Sequence, residues 1–267
     1  MTAERWSQAV RRQVGLGRLL PLGGPRDGAW IAEAAAGSAL RRAAEGVRGV
    51  RTGAIRIALA DPEETYEPAV PPPPSALPPG PLRVSADFAV AADPTASEAE
   101  PLPTTAARLR SVLATAAAER LGLQVTEVDL RVTDLLDGEP AVGLSPEPPP
   151  PAKPDPVLGR DESAVAAAAR SVPGVSRLTG IFGGPGRAVH IEEQRGGTAL
   201  PRRHVRVELA VATDRRAVDV ARAVRGGVTE ALPDHPSVAV LVTAVDSPGM
   251  SGGLSTGASG GRPGGGV

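Results

Sequence analysis

Residues 204–246 hold a pattern that few folds accommodate: a half-apolar strand, an amphipathic helix, and a second, strongly apolar strand. Val205, Val207, Leu209 and Val211 alternate with Arg206, Glu208 and Ala210, the period of a strand with one face on a core. Thr213 or Asp214 is placed to cap the helix that follows, by accepting from an otherwise orphan N–H of its first turn. Across residues 215–232, Ala217, Val220, Ala221, Val224, Val228 and Ala231 recur at threes and fours and share one face. Arg215, Arg216, Asp219, Arg222 and Arg225 lie mostly off it, which makes the helix amphipathic. Gly226 and Gly227 oppose this reading, since each costs about 1 kcal/mol relative to Ala in a helix interior, and they mark a close contact, a kink or an earlier end. Pro233 and Pro236 stop the helix, and Val238, Val240 and Val242 open the final strand.

The same order occurs upstream, at residues 82–135, in different residues. Leu82, Val84, Ala86, Phe88 and Val90 alternate; Thr104 or Thr105 caps; Leu109, Val112, Leu113, Ala116 and Leu121 form a helical stripe; Val128, Leu130 and Val132 make the closing strand. An Ala-rich helical run precedes Gly46-Val-Arg-Gly-Val50 in one copy and Val172-Pro-Gly-Val175 in the other. From Val47 to Leu82 is 35 residues and from Val172 to Val205 is 33, so order, spacing and cap positions agree together, as a duplication requires. The expected fold is therefore α+β: two related modules, each helix, two strands, amphipathic helix, strand. The boundaries read as a basic N-terminal segment at 1–28, a first module at 29–137 with a Pro-rich insertion at 68–81, a Pro-rich linker at 138–160, a second module at 161–246, and a disordered Gly-rich tail at 247–267.

Within that frame, Asp27 is placed to cap a helix from about Ala29 to Glu45, followed by a strand near Ala54 to Leu59, with a loop from Leu16 to Gly28. Pro71 to Pro74 and Pro78-Pro79 fix φ and remove N–H donors, so 68–81 reads as an extended, polyproline-like spacer. Asp93 to Glu100 is a polar loop. Asp161 to Ala169 begins the second module's helix, and Val189 to Glu193 is its first strand.

Aromatics are 2% of the chain, so the cores must be built from Val, Leu and Ala, which bury less area per residue. Without cysteine, disulfides and thiolate metal sites are excluded, in keeping with a reducing compartment. No apolar run reaches membrane-spanning length, and the first residues lack the apolar core of a signal peptide, so the expected location is cytoplasmic. Charge is unevenly placed: residues 1–60 carry ten Arg against four acids, a balance of +6 that leaves −7 for the rest of a chain with net charge −1. This makes the N-terminal part the candidate contact with an anionic surface. Trp6, Val10 and Val14 lie at i, i+4 and i+8, with Arg5, Arg11, Arg12 and Arg18 around them and Leu19 and Leu20 extending the apolar strip. Such a helix suits peripheral attachment to an anionic membrane; its competitor is packing on the protein's own core.

Chemistry is sparse. His190, His204 and His235 are the three imidazoles. The first two flank a loop between expected strands, with Glu192 and Glu193 nearby, but zinc needs three or four convergent ligands and the spacing forces none. Gly15-Leu-Gly-Arg and Gly23-Gly-Pro-Arg lack the Gly-Lys-Ser/Thr of a phosphate loop. No nucleophile elbow or Ser/His/Asp order stands out, and no catalytic residue, metal or cofactor is expected. The basic segment lacks interleaved aromatics for stacking bases. Asp129 and Arg131, off the core face of the closing strand, and the nearby Asp134 are the candidate assembly contacts.

The segment Gly122-Leu-Gln-Val-Thr-Glu-Val-Asp-Leu-Arg-Val-Thr-Asp134 resembles the end motif of the alkaline-shock-protein family of Gram-positive envelope-stress proteins, a Gly-Leu turn followed by a Val-Asn-Val-like strand and a terminal Asp. Asp129 stands where that family usually has Asn. Gly46-Val-Arg-Gly-Val50 and Val172-Pro-Gly-Val175 resemble its opening turn. The second copy departs from it, with Pro233-Asp234-His235 in place of Gly-Leu and Ala239 at the Asn-like position. The resemblance covers residues 30–135 and 160–246. Leu19 to Trp30 is also similar to a group of actinobacterial proteins often given a nucleopolyhedrovirus label. It implies a non-enzymatic scaffold or interaction protein, linked to cell-envelope homeostasis, that self-associates or takes a protein partner near the membrane. The alternatives are a nucleic-acid-binding protein using the basic N-terminal region and an uncharacterised enzyme.

Overall fold

A computed structural model describes residues 15–91, 101–136, 159–181, 187–194 and 202–247. The expected N-terminal helix with Arg5, Trp6, Val10, Arg11, Arg12 and Val14, the expected loop 93–100, nearly all of the expected linker 138–160 and the residues after 247 lie outside the described residues. The described residues form a mixed α+β structure of four α-helices and nine strands in two sheets. In order they are β1 (Leu19–Pro21), β2 (Ala29–Ala32), α1 (Glu33–Ala44), β3 (Val50–Leu59), β4 (Leu82–Ala91), α2 (Leu102–Thr115) running into a π-helical turn (Ala116–Leu121), β5 (Val125–Leu136), α3 (Arg160–Ser171), β6 (Val175–Leu178), β7 (Val189–Gln194), β8 (Arg202–Ala212), α4 (Ala217–Ala231) and β9 (Ser237–Asp246).

The smaller sheet runs β3-β4-β5, with β3 antiparallel to β4 and β5 parallel to it through α2. The larger runs β1-β2-β9-β8-β6, with β7 also on β8; β6 and β7 are antiparallel to β8, and β9 is parallel to it through α4. Val205, Val207, Leu209 and Val211 bury the expected face of β8 opposite Val238, Val240 and Val242 of β9. Helix α1 packs on β9 and on β3, so one continuous core joins the two sheets.

Several expectations are corrected. The helix read from Ala29 starts instead at Glu33, and Asp27 does not cap it. Ala29-Trp30-Ile31-Ala32 is a strand whose Ala29, Trp30 and Ile31 pair in parallel with Val240, Leu241 and Val242, where Trp30 and Ile31 are fully buried. Burial of these two side chains and a main-chain ladder outweigh the helical preference of the alanines. Part of the expected loop 16–28 is β1, antiparallel to β2. Helix α2 begins at Leu102 rather than after a threonine cap, because Pro103 lacks an N–H and is tolerated in a first turn. Neither Thr213 nor Asp214 caps α4, whose N-cap is Arg216 with no side-chain hydrogen bond. Gly226 and Gly227 sit inside α4, and a methyl group on either would meet nothing; they mark no close contact.

The Pro-rich segment is not a free spacer. Leu77 N donates to Leu19 O at 2.8 Å, Ala69 N to Pro25 O at 2.9 Å, and the Trp30 indole N–H to Leu77 O at 3.3 Å. It covers the β1 edge.

Candidate functional site

The edges of the two sheets are treated differently, and that difference defines the site. An edge strand exposes unpaired N–H and C=O groups that another strand can use. At the β1 edge the Leu77 bond closes the ladder. On β3, Ile57 N donates to Glu33 Oε1 at 3.1 Å and Arg18 Nη2 donates to Ile57 O at 2.9 Å, with Arg18 Nε 3.6 Å from Glu33 Oε2. The edge beyond β8 is split between β6, of 4 residues, and β7, of 6. Strand β5 is 12 residues long and, among the described residues, pairs along one side only, with β4.

Main-chain direction on β5 follows from its neighbour. Leu82 N takes Gln124 O at 2.8 Å, so even-numbered residues of β4 bond toward β5. With Val84 opposite Val128, Ala86 opposite Leu130 and Phe88 opposite Val132, the groups of Glu127, Asp129 and Arg131 are used by β4, and those of Val128, Leu130 and Val132 point outward. Consistent with this, Arg110 of α2 reaches Val128 O with its Nε at 3.1 Å. Side chains on the α2 side thin out toward the edge: Val128 and Leu130 are half-buried, whereas Val132 is 40% and Leu135 62% exposed.

All three candidate assembly residues stand on this strand. Asp129 and Asp134 are largely exposed, 3.6 Å from Arg83 Nε and 3.9 Å from Arg51 Nη2 respectively. Arg83 bonds Glu127 more closely, at 2.6 Å, and that hydrogen bond is the main reason its guanidinium is held above its ordinary pKa. Arg131 is exposed, in register with Asp87 of β4.

The other sequence candidates go elsewhere. Arg18 is tied to Ile57 and Glu33 as above, and Leu19 and Leu20 are buried in β1, so these leucines do not extend an apolar strip toward lipid. A pair of adjacent leucines fits a short strand as well as a helix extension, and their burial within the larger sheet decides between them. No helix among the described residues is long and apolar enough to cross a membrane. His190 and His204 lie on neighbouring strands, His190 opposite Arg206 and His204 opposite Glu192. They do not share ligands: His190 Nε2 is 3.1 Å from Arg187 O, and His204 Nδ1 is 2.8 Å from Ser237 Oγ. Among the described residues no group of three His, Cys, Asp or Glu side chains is arranged to hold a metal ion.

Both imidazoles are pushed below their usual value of 6.5, first by burial; for each the nearby Arg206 acts in the same direction. The sign of the pH effect follows. Above 6.5 folded and unfolded chains are both neutral at these sites, but as pH falls below it the unfolded chain takes up protons first, so stability drops. Asp27, held below its usual 3.8 chiefly by the hydrogen bond from Arg222, adds a further loss as pH falls below 3.8. His204→Asn, which keeps a partner for Ser237, is expected to flatten the first of these two limbs and leave the second unchanged. Urea titrations between pH 7 and 3 would show it; equal slopes in both proteins between pH 6.5 and 5 would refute it.

One buried group was not anticipated. Glu208, read as a solvent-side residue of its strand, is fully buried and accepts from Ile181 N at 2.6 Å. Alternation places it opposite the valine face, but the alternation does not say that this face is covered as well. Nearby, Thr179 and Thr243 share a buried hydroxyl hydrogen bond of 2.7 Å. These groups hold the end of β6 to the sheet.

Compared with known proteins, the chain matches no family model and no curated protein.

Proposed function

We propose that this chain is a non-catalytic scaffold that self-associates through the open edge of β5. The observation that carries the reading is a contrast between the two sheets. Each contains an antiparallel pair followed by a helix and a parallel closing strand, β3-β4-α2-β5 and β7-β8-α4-β9. We read these as two copies of one unit, each opened by a helix, α1 or α3. On β9 the outer side of the closing strand is filled by β2. On β5 no strand among the described residues fills the equivalent side, so the fold carries both a strand that accepts another strand and a counterpart available to do so. The resemblance of Gly122 to Asp134 to the alkaline-shock family, which falls on β5 and the turn before it, extends the proposal to a role in cell-envelope homeostasis. With Leu19 and Leu20 buried, attachment to an anionic membrane would rest on the residues before 15.

Size-exclusion chromatography with light scattering on the full chain tests the reading. A mass that is a multiple of 27.0 kDa at tens of micromolar is expected. A strict monomer under those conditions would overturn it.

A further inference from the structure

Building on that reading, we infer that two copies of this chain pair β5 against β5, antiparallel and two-fold symmetric about Leu130, to make one continuous six-stranded sheet. Three features of the strand converge on this register. The first is the main chain. Val128, Leu130 and Val132 carry the outward N–H and C=O groups, and centring on Leu130 sets Leu130 opposite itself and Val128 opposite the second copy's Val132. These are the hydrogen-bonded pairs of an antiparallel ladder, so the outward groups find partners. The Arg110 bond to Val128 O is compatible with this, because a carbonyl oxygen has two lone pairs.

The second feature is charge. In this register Asp129 stands opposite the second copy's Arg131, and symmetry repeats the pair on the other side of the axis. Positions 129 and 131 then form a non-hydrogen-bonded pair, the closer of the two kinds, at about 4.5 Å between Cα atoms. Both residues are on the exposed face of the sheet. Slipping one strand past the other by one residue sets Asp129 opposite Leu130 or Val132, and slipping it by two sets Asp129 opposite Asp129 or Thr133; either abolishes both ion pairs. The third feature is apolar: Val132, 40% exposed at the rim of the α2 side, comes against the second copy's Val128. Outward amides, complementary charges and exposed valine thus select one register and one occupant, a second copy of this chain.

Charge exchange tests the register apart from association itself. Asp129→Arg sets Arg against Arg across the axis and Arg131→Asp sets Asp against Asp; each alone should weaken the dimer at least about tenfold. Mixing the two variants restores complementary pairs, and so does the double variant D129R/R131D, so both should dimerise close to the parent. Because the chain has no cysteine, a covalent trap adds a second readout. Leu130→Cys should oxidise to a disulfide-linked dimer, whereas Thr133→Cys, whose two copies would lie about 20 Å apart at ~3.4 Å per residue, should not. Dimers of unchanged affinity in both single variants would overturn the register while leaving self-association intact. A parent chain that is monomeric by light scattering would overturn both.

Discussion

Replacing Gly122 by Ala is expected to lower the stability of the fold by roughly 2–6 kcal/mol, adding ~1–3 for a non-glycine residue held at positive φ to ~1–3 for overpacking. Gly122 follows the π-helical turn at φ +87°, where its N–H and that of Leu123 both reach Ala117 O at 2.9 Å. Beyond its Cα there is no space: an added Cβ would lie 2.2 Å from Val218 Cγ1 and 2.6 Å from Val218 Cβ. The neighbours cannot easily retreat. Gly23 N donates to Gly122 O at 3.1 Å, Arg216 Nε donates to Ala118 O at 3.0 Å, and Gly23, itself at φ +81°, lies on another side of Val218. The start of α4 is thus held against the end of α2 through two glycines. Urea denaturation of Gly122→Ala, Val218→Ala and the double variant separates the two contributions. The double variant should cost less than the sum of the singles, since the clash is shared and the backbone strain is not. A Gly122→Ala protein within about 0.5 kcal/mol of the parent, the range of ordinary surface changes, would show that the turn relaxes freely.

How much of this was legible in advance divides along physical lines. The strands and amphipathic helices of 82–135 and 204–246 declare themselves because a period of two or of three to four is imposed by a single core face. The turn at Gly122 was read instead from the resemblance of Gly122-Leu123 to the Gly-Leu turn of the alkaline-shock-protein family. Between α4 and β9 there is no Gly-Leu turn, yet His235 takes positive φ there, at +44°. Ala29-Trp30-Ile31-Ala32 was misread because four apolar residues in a row carry no period, and the strand they pair with lies more than 200 residues on. The site was only half legible. Asp129 and Arg131 were recognisable as off the core face of an alternating strand, whereas Asp134 has the parity of Val132 and joins them only through the register shift after Phe88; alternation also cannot tell a central strand from an edge. Val128, Leu130 and Val132 look as buried in sequence as Val238, Val240 and Val242 do. Their exposure differs because β2 lies beside β9, while among the described residues nothing pairs with the outer side of β5.

Trp30→Ala is the second large effect, at ~3–5 kcal/mol for truncating a buried aromatic. Trp30 is 1% exposed and joins three parts of the chain. Its main chain lies on β2 between Pro21 of β1 and Leu241 of β9, and its indole N–H donates to Leu77 O in the Pro-rich segment. Removing the ring empties that volume and also takes the donor from Leu77, beside the point where Leu77 N closes the β1 edge. The loss should therefore spread to residues 68–81, not stay within the sheet. Trp30→Phe separates these effects: it keeps most of the apolar volume and lacks the donor, so it should cost about 1 kcal/mol, the usual net value of one hydrogen bond, plus a smaller packing term. Deuterium exchange supplies the readout, since Leu77 and Ala76 amides should lose protection in both variants and the β8–β9 ladder only in Trp30→Ala. Urea midpoints of the parent and both variants are read by far-UV circular dichroism, because replacing Trp30 also removes one of the chain's two tryptophans. If Trp30→Ala unfolds at the parent's urea midpoint, or if protection at Leu77 is unchanged in both variants, the Pro-rich segment is held by something other than this side chain and its role as the cover of the β1 edge falls.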